Sequence, residues 1–191
     1  MLAGNTARDQ PMTTHTPDPI TLRAVALGPM PEGRRMVTRD EGFARATVRD
    51  MFELVRGVEE WPAHLPHYRW VRMVERDGND GGIVEMSANR PFARGALRWP
   101  TFWRSLMEVD FLRPAVRFRH IGGITTGMDV EWAFEPGDAG TFITLVHAWD
   151  GPTWPVIGAF AARAVIGPVF VHGIASRTLA GLTRVAEERP R

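Results

Sequence analysis

ATVRDMFELVRGVEEWPAHLPHYRWVRMVER, residues 46–76, is the stretch in which the chain passes from helical to strand periodicity. Thr47 stands as an N-cap with Asp50 three residues on, the spacing of a capping box. Met51, Phe52 and Val55 share one face of the short helix that follows, and Gly57 ends it. Pro62 suits a first helical turn and Pro66 stops one, so EEWPAHLP holds one or two turns at most. From Tyr68 the pattern alternates, with Val71 and Met73 on one side and Arg72 and Val74 on the other, as in a half-buried strand.

Working outward, RRMVTRDEGFARA (34–46) reads as a first strand interrupted by the turn-like DEG. ITLRAVALG (20–28) has the composition of a short strand, and residues 1–20, rich in Thr, Pro and Asp, have that of a flexible N-terminal tail. Beyond the opening stretch, DGNDGG signals a hairpin. GGIVEMSANR, RGALRWPTFWRSLMEVDFL, PAVRFRHIGG, TTGMDVEWAFEP and GTFITLVHAWD follow as strands, with Pro100 expected to divide the second of them by a bulge. After GPTWP the period is helical to the end, as one long helix or two segments kinked at Pro168. The order predicts an α+β chain: a curved antiparallel sheet of about seven strands wrapped around a long C-terminal helix, with two short helices between strands 1 and 2. Such a sheet leaves a space beneath the helix, the natural place for a ligand.

Composition narrows the chemistry. All 23 basic residues are Arg and there is no Cys, which excludes Schiff-base lysines, a P-loop lysine, thiol nucleophiles and thiolate metal sites. A formal net charge of +1, with Arg spread among acids, gives no nucleic-acid footprint. The N-terminus lacks an apolar signal core, and VIGAFAARAVIGPVFV is interrupted by Arg163 and broken at Gly167-Pro168. That run falls short of the roughly 20 residues of a membrane span. The expectation is a soluble, cytoplasmic protein without stable membrane insertion.

The candidate site residues follow from strand period. His120 is in step with Val116 and Phe118, and His147 with Ile143 and Leu145, so both imidazoles point with apolar neighbours. Each is either a proton-moving cavity group or a hydrogen-bonded wall residue. Trp99, Trp103, Ser105 and Met107 alternate on one strand face, as do Met128 and Trp132. Tyr68, Met73 and Met86, and Phe160, Ala164 and Val171 along the C-terminal helix, complete the predicted wall. Arg98, Arg104, Arg117 and Arg119 fall on the opposite faces and read as solvated, as do Glu85, Asp129 and Glu131. His64 and His67 lie three apart but lack a third ligand or an HExxH frame, so no metal site is expected. They are placed near the rim of the cavity, partly exposed.

With these pieces in place, residues 36–188 resemble the polyketide cyclase/dehydrase and lipid-transport group of the START-like (SRPBCC, helix-grip) superfamily, which includes coenzyme Q-binding START-domain proteins. The resemblance is carried by the opening stretch, by TTGMDVEWAFEP and GTFITLVHAWD, and by FVHGIASRTLAGLTRVAEE. Gly57 departs from the family pattern, which often has Asp there. The resemblance implies one START-like domain over 21–191 with a deep hydrophobic cavity closed by the helices. It also implies a hydrophobic ligand of lipid, quinone or polycyclic polyketide type, and no cofactor. It leaves two activities open. One is a carrier or chaperone. The other is a cofactor-free polyketide cyclase, aromatase or dehydratase that uses His120 or His147, with Ser105 or Tyr68 orienting the substrate. A third reading is a partner-binding module using the outer sheet face. The resemblance names neither one ligand nor an oligomeric state.

Overall fold

The computed structural model describes residues 26–92, 97–152 and 172–189. In chain order these form β1 (Met36–Ala44), α1 (Val48–Arg56), a 3₁₀ turn (Val58–Glu60), α2 (Trp61–His64), β2 (Tyr68–Arg76), β3 (Gly82–Phe92), β4 (Leu97–Asp110), β5 (Ala115–Gly123), β6 (Asp129–Gly137), β7 (Gly140–Trp149) and α3 (His172–Glu188). The strands build one antiparallel sheet in the order β1-β7-β6-β5-β4-β3-β2. The two strands flanking the helical insertion are therefore its opposite edges. Register shifts at Tyr68/Trp70, Met73/Glu75 and Arg104/Ser105 add the bends that curve a sheet. This is the expected helix-grip arrangement, with α3 packed on β1, β3, α1 and α2.

The capping box forms as the spacing predicts: the Asp50 amide donates to Thr47 Oγ1 at 3.1 Å, and the Thr47 amide to Asp50 Oδ2 at 3.4 Å. Met51, Phe52, Leu54 and Val55 of α1 are buried. Trp61 Nε1 donates to the Leu54 carbonyl at 3.0 Å, which ties α2 to the C-terminal end of α1. On α3, Ala175, Thr178, Leu179, Leu182, Val185 and Ala186 form the buried stripe.

Four expectations are corrected. DEG is no turn: β1 runs through it unbroken, and Gly42 is there because Leu179 of α3 sits on it, 3.2 Å from where a Cβ would be. Residues 26–28 form no strand, and the remainder of ITLRAVALG lies outside the described residues. Pro100 does not divide β4. It pairs with Asn89 in an unshifted ladder, whereas β5 pairs with β4 only from Trp103 onward, so the missing N–H interrupts no bond on that side.

The fourth correction concerns the outer face. Arg117 and Asp129 point outward but are buried, because residues 26–35 cross β4–β6 there. The Leu27 amide donates to Glu108 Oε2 at 2.8 Å, and the Arg35 amide to Asp150 Oδ1 at 3.1 Å. Asp129 lies 2.8 Å from Arg119, 3.6 Å from Arg34 and 3.9 Å from Arg117, which also pairs with Glu131 at 3.4 Å. Glu85 is outward as predicted, but held between Arg72 and Arg104 rather than freely solvated.

Candidate functional site

The inner face of the sheet, α2 and α3 border a cavity of about 80 Å³. One water needs roughly 10–15 Å³ on that scale, so there is room for several. Trp61 of α2 and Tyr68 of β2 form one side, continued by Met86 of β3 and by Thr101 and Trp103 of β4. Phe118 and His120 of β5, Met128, Val130 and Trp132 along β6, and Leu145 and His147 of β7 form the other. Ile174, Ala175 and Thr178 of α3 also border it, and Thr125 enters from the β5–β6 connection.

Aromatic rings set its character. Trp61 meets Tyr68, Trp132 and Phe118 edge-on, with centroids 5.3, 6.1 and 6.5 Å away. Tyr68 continues to Trp103 at 6.1 Å, and the indole of Trp103 stacks on the His120 imidazole at 6.2 Å and 23°. These are offset and edge-to-face geometries that rings favour.

The polar groups are neutral near pH 7. Burial pushes His120 down to about 3, and burial together with the neighbouring His120 pushes His147 down to about 3. Burial, then the charge of Arg177, lowers His67 to about 4. Burial raises the Tyr68 phenol well above its ordinary value, against a smaller opposing effect of its bond to Thr178. Most of these groups are tied to a hydroxyl. His120 Nδ1 lies 2.6 Å from Thr125 Oγ1, His147 Nδ1 3.4 Å from Thr38 Oγ1, and His67 Nε2 3.1 Å from Thr178 Oγ1. Thr178 also bonds the Ile174 carbonyl at 2.9 Å and lies 3.4 Å from the Tyr68 hydroxyl.

Of the predicted wall residues, Tyr68, Met86, Trp103, Phe118, His120, Met128, Trp132 and His147 border this cavity. Ser105 and Met107 do point inward but are fully buried in the core beside it, Ser105 cross-strand from His120. Met73 keeps the inward face, opposite Val84, and packs against the core, but it lies beyond the cavity beside the 3₁₀ turn, where its amide bonds Glu59 Oε1 at 3.1 Å. Trp99 of β4 pairs with Arg90 of β3. Phe160, Ala164, Val171 and the Pro168 kink lie outside the described residues. His67 is half-buried and reaches inward to Thr178, while His64 stays at the end of α2. Among the described residues no three His, Cys, Asp or Glu side chains are grouped to hold a metal.

Eight wall residues were not on the predicted wall: Trp61 of α2, Ile174, Ala175 and Thr178 of α3, and Thr101, Thr125, Val130 and Leu145. Thr101 is in step with Trp103, Val130 with Met128 and Trp132, and Leu145 with His147, so strand period contained the signal for three. Thr125 sits in a connection, where no period applies.

A curved seven-stranded sheet gripping a C-terminal helix is the helix-grip fold. Within it, residues 45–169 match the model of the family described as polyketide cyclase/dehydrase and lipid transport, and the chain belongs to that family. Among solved structures it is similar to Zhui aromatase/cyclase from a Streptomyces species (18% identity, 82% of this chain and 96% of that one, TM-score 0.69). It is similar as well to a START superfamily protein from Mycobacterium smegmatis (11% identity, 82% and 99% covered, TM-score 0.61). A protein from Thermus thermophilus aligns at 20% identity over 81% of this chain and 100% of that one, with a TM-score of 0.65. At these identities the likeness is one of fold. No curated protein matches the sequence. Among the described residues, no helix is long and apolar enough to cross a membrane.

Proposed function

We propose that this chain binds a hydrophobic small molecule, of lipid, quinone or polycyclic polyketide type, in the cavity beneath α3, and acts as a cytoplasmic carrier or chaperone for it. The observation that carries the reading is the wall itself: Trp61, Tyr68, Trp103, Phe118 and Trp132 surround a space whose titratable groups are neutral. An apolar ligand gains roughly 25 cal/mol for each Å² of surface it buries there.

The same observation ranks the alternative, a cofactor-free cyclase, aromatase or dehydratase, second. A general base works best with a pKa near the operating pH. With His120 and His147 both near 3, each is a weak base at pH 7, better suited to orienting a ligand than to taking its proton.

Native mass spectrometry of freshly purified protein tests the carrier reading, followed by thermal shift with quinones, isoprenoids, fatty acids and polycyclic aromatics. A retained apolar adduct, or a rise in Tm with one of these classes, is expected. A protein that carries no adduct and responds to none of them has some other role.

A further inference from the structure

We propose that Thr101 reads an oxygen of the cavity's ligand, which makes that ligand an oxygenated apolar molecule, a phenol, alcohol or ketone, rather than a plain hydrocarbon. The inference rests on the cavity-binding reading and specifies it. Thr101 is 7% exposed and belongs to the cavity wall, yet its Oγ1 has no hydrogen-bond partner. The other wall hydroxyls among the described residues are engaged: Thr125 with His120, and Thr178 with the Ile174 carbonyl, His67 and Tyr68. Across the ladder from Thr101 stands Ala88, which offers only a methyl group.

A buried hydroxyl without a partner opposes folding, and Val has the same shape without that penalty. Ser105 Oγ is also unpartnered, but Ser105 lies in the core outside the wall, whereas Thr101 belongs to the wall. Its place suits the task. It stands two residues from Trp103 on the same strand face, so a flat ligand lying on that indole would bring an edge oxygen towards Oγ1. A hydroxyl both donates and accepts, so a phenol and a ketone can each be read.

The test compares 2-naphthol with naphthalene, which differ by one oxygen, using equilibrium dialysis against the full chain and its Thr101→Val and Thr101→Ser variants. Wild type should take 2-naphthol about tenfold more tightly than naphthalene, the effect of one good neutral hydrogen bond. Thr101→Val should abolish that preference with the affinity for naphthalene unchanged, and should raise the Tm of the ligand-free protein. Thr101→Ser should keep the preference. If Thr101→Val weakens both ligands equally, the side chain only packs. If it leaves the preference intact, another group reads the oxygen. Either result overturns the assignment. Failure of wild type to bind either compound would overturn the cavity-binding reading and this assignment with it.

Discussion

His67, His120 and His147 carry depressed pKa values in the fold, about 4, 3 and 3, against an ordinary 6.5. Below pH 6.5 the unfolded chain therefore takes up protons that the native state refuses, and stability falls as the pH drops towards the folded values. The stabilisation is fully present only above that window. His120 and His147 each contribute a slope of up to about 1.4 kcal/mol per pH unit. Half-exposed His67 adds less. Urea unfolding at pH 7, 6 and 5 should show this decline, and a His120→Gln/His147→Gln variant should show a clearly shallower one. Parallel curves for the two proteins would mean that the imidazoles are not held neutral by burial. At this scale the sequence was informative wherever a strand ran straight. His120 and His147 were found by counting in twos. Met73 has the face that counting gives it but lies too far along β2 to reach the cavity, and Thr125 was invisible because its contact is made by a connection.

The elements are fitted to one another by close approaches that local pattern does not reveal. Leu179 rests on Gly42 of β1, and Leu65, which caps α2, rests on Gly181 of α3, where a Cβ would lie 2.3 Å from its Cδ2. Leu65 is 1% exposed and has little room to withdraw. Gly181→Val would gain a few tenths of a kcal/mol in helix propensity. Against this, forcing extra carbons into the α2–α3 contact costs about 1–3 kcal/mol. The variant should be less stable than wild type in denaturant unfolding, and a more stable variant would refute this seating of α3. Gly42 was read as part of a turn for the same reason: a glycine between Glu and Phe looks like punctuation until the helix above it is known. The strands and both short helices were legible because their burial is one-sided. The register shifts were not, since nothing in YRWVRMVER distinguishes a bulge from regular alternation.

At the scale of the molecule, chain order and connection length implied the antiparallel sheet, its helical insertion and the covering helix, and with them a space between the layers. The strap over the outer face could not be read this way. Alternating Arg and acid on β5 and β6 look solvated, and only the crossing of residues 26–35 turns Asp129 and Arg117 into a buried ionic cluster. The account depends above all on the cavity being a binding site for apolar molecules. Titration with N-phenyl-1-naphthylamine, a neutral apolar fluorophore, tests it directly when run on wild type beside Ala175→Trp, whose indole would fill the space under α3. The account predicts saturable one-to-one binding to wild type that is lost in Ala175→Trp while the variant remains folded by circular dichroism. Undiminished binding to the folded variant, or no saturable binding to wild type, would contradict it.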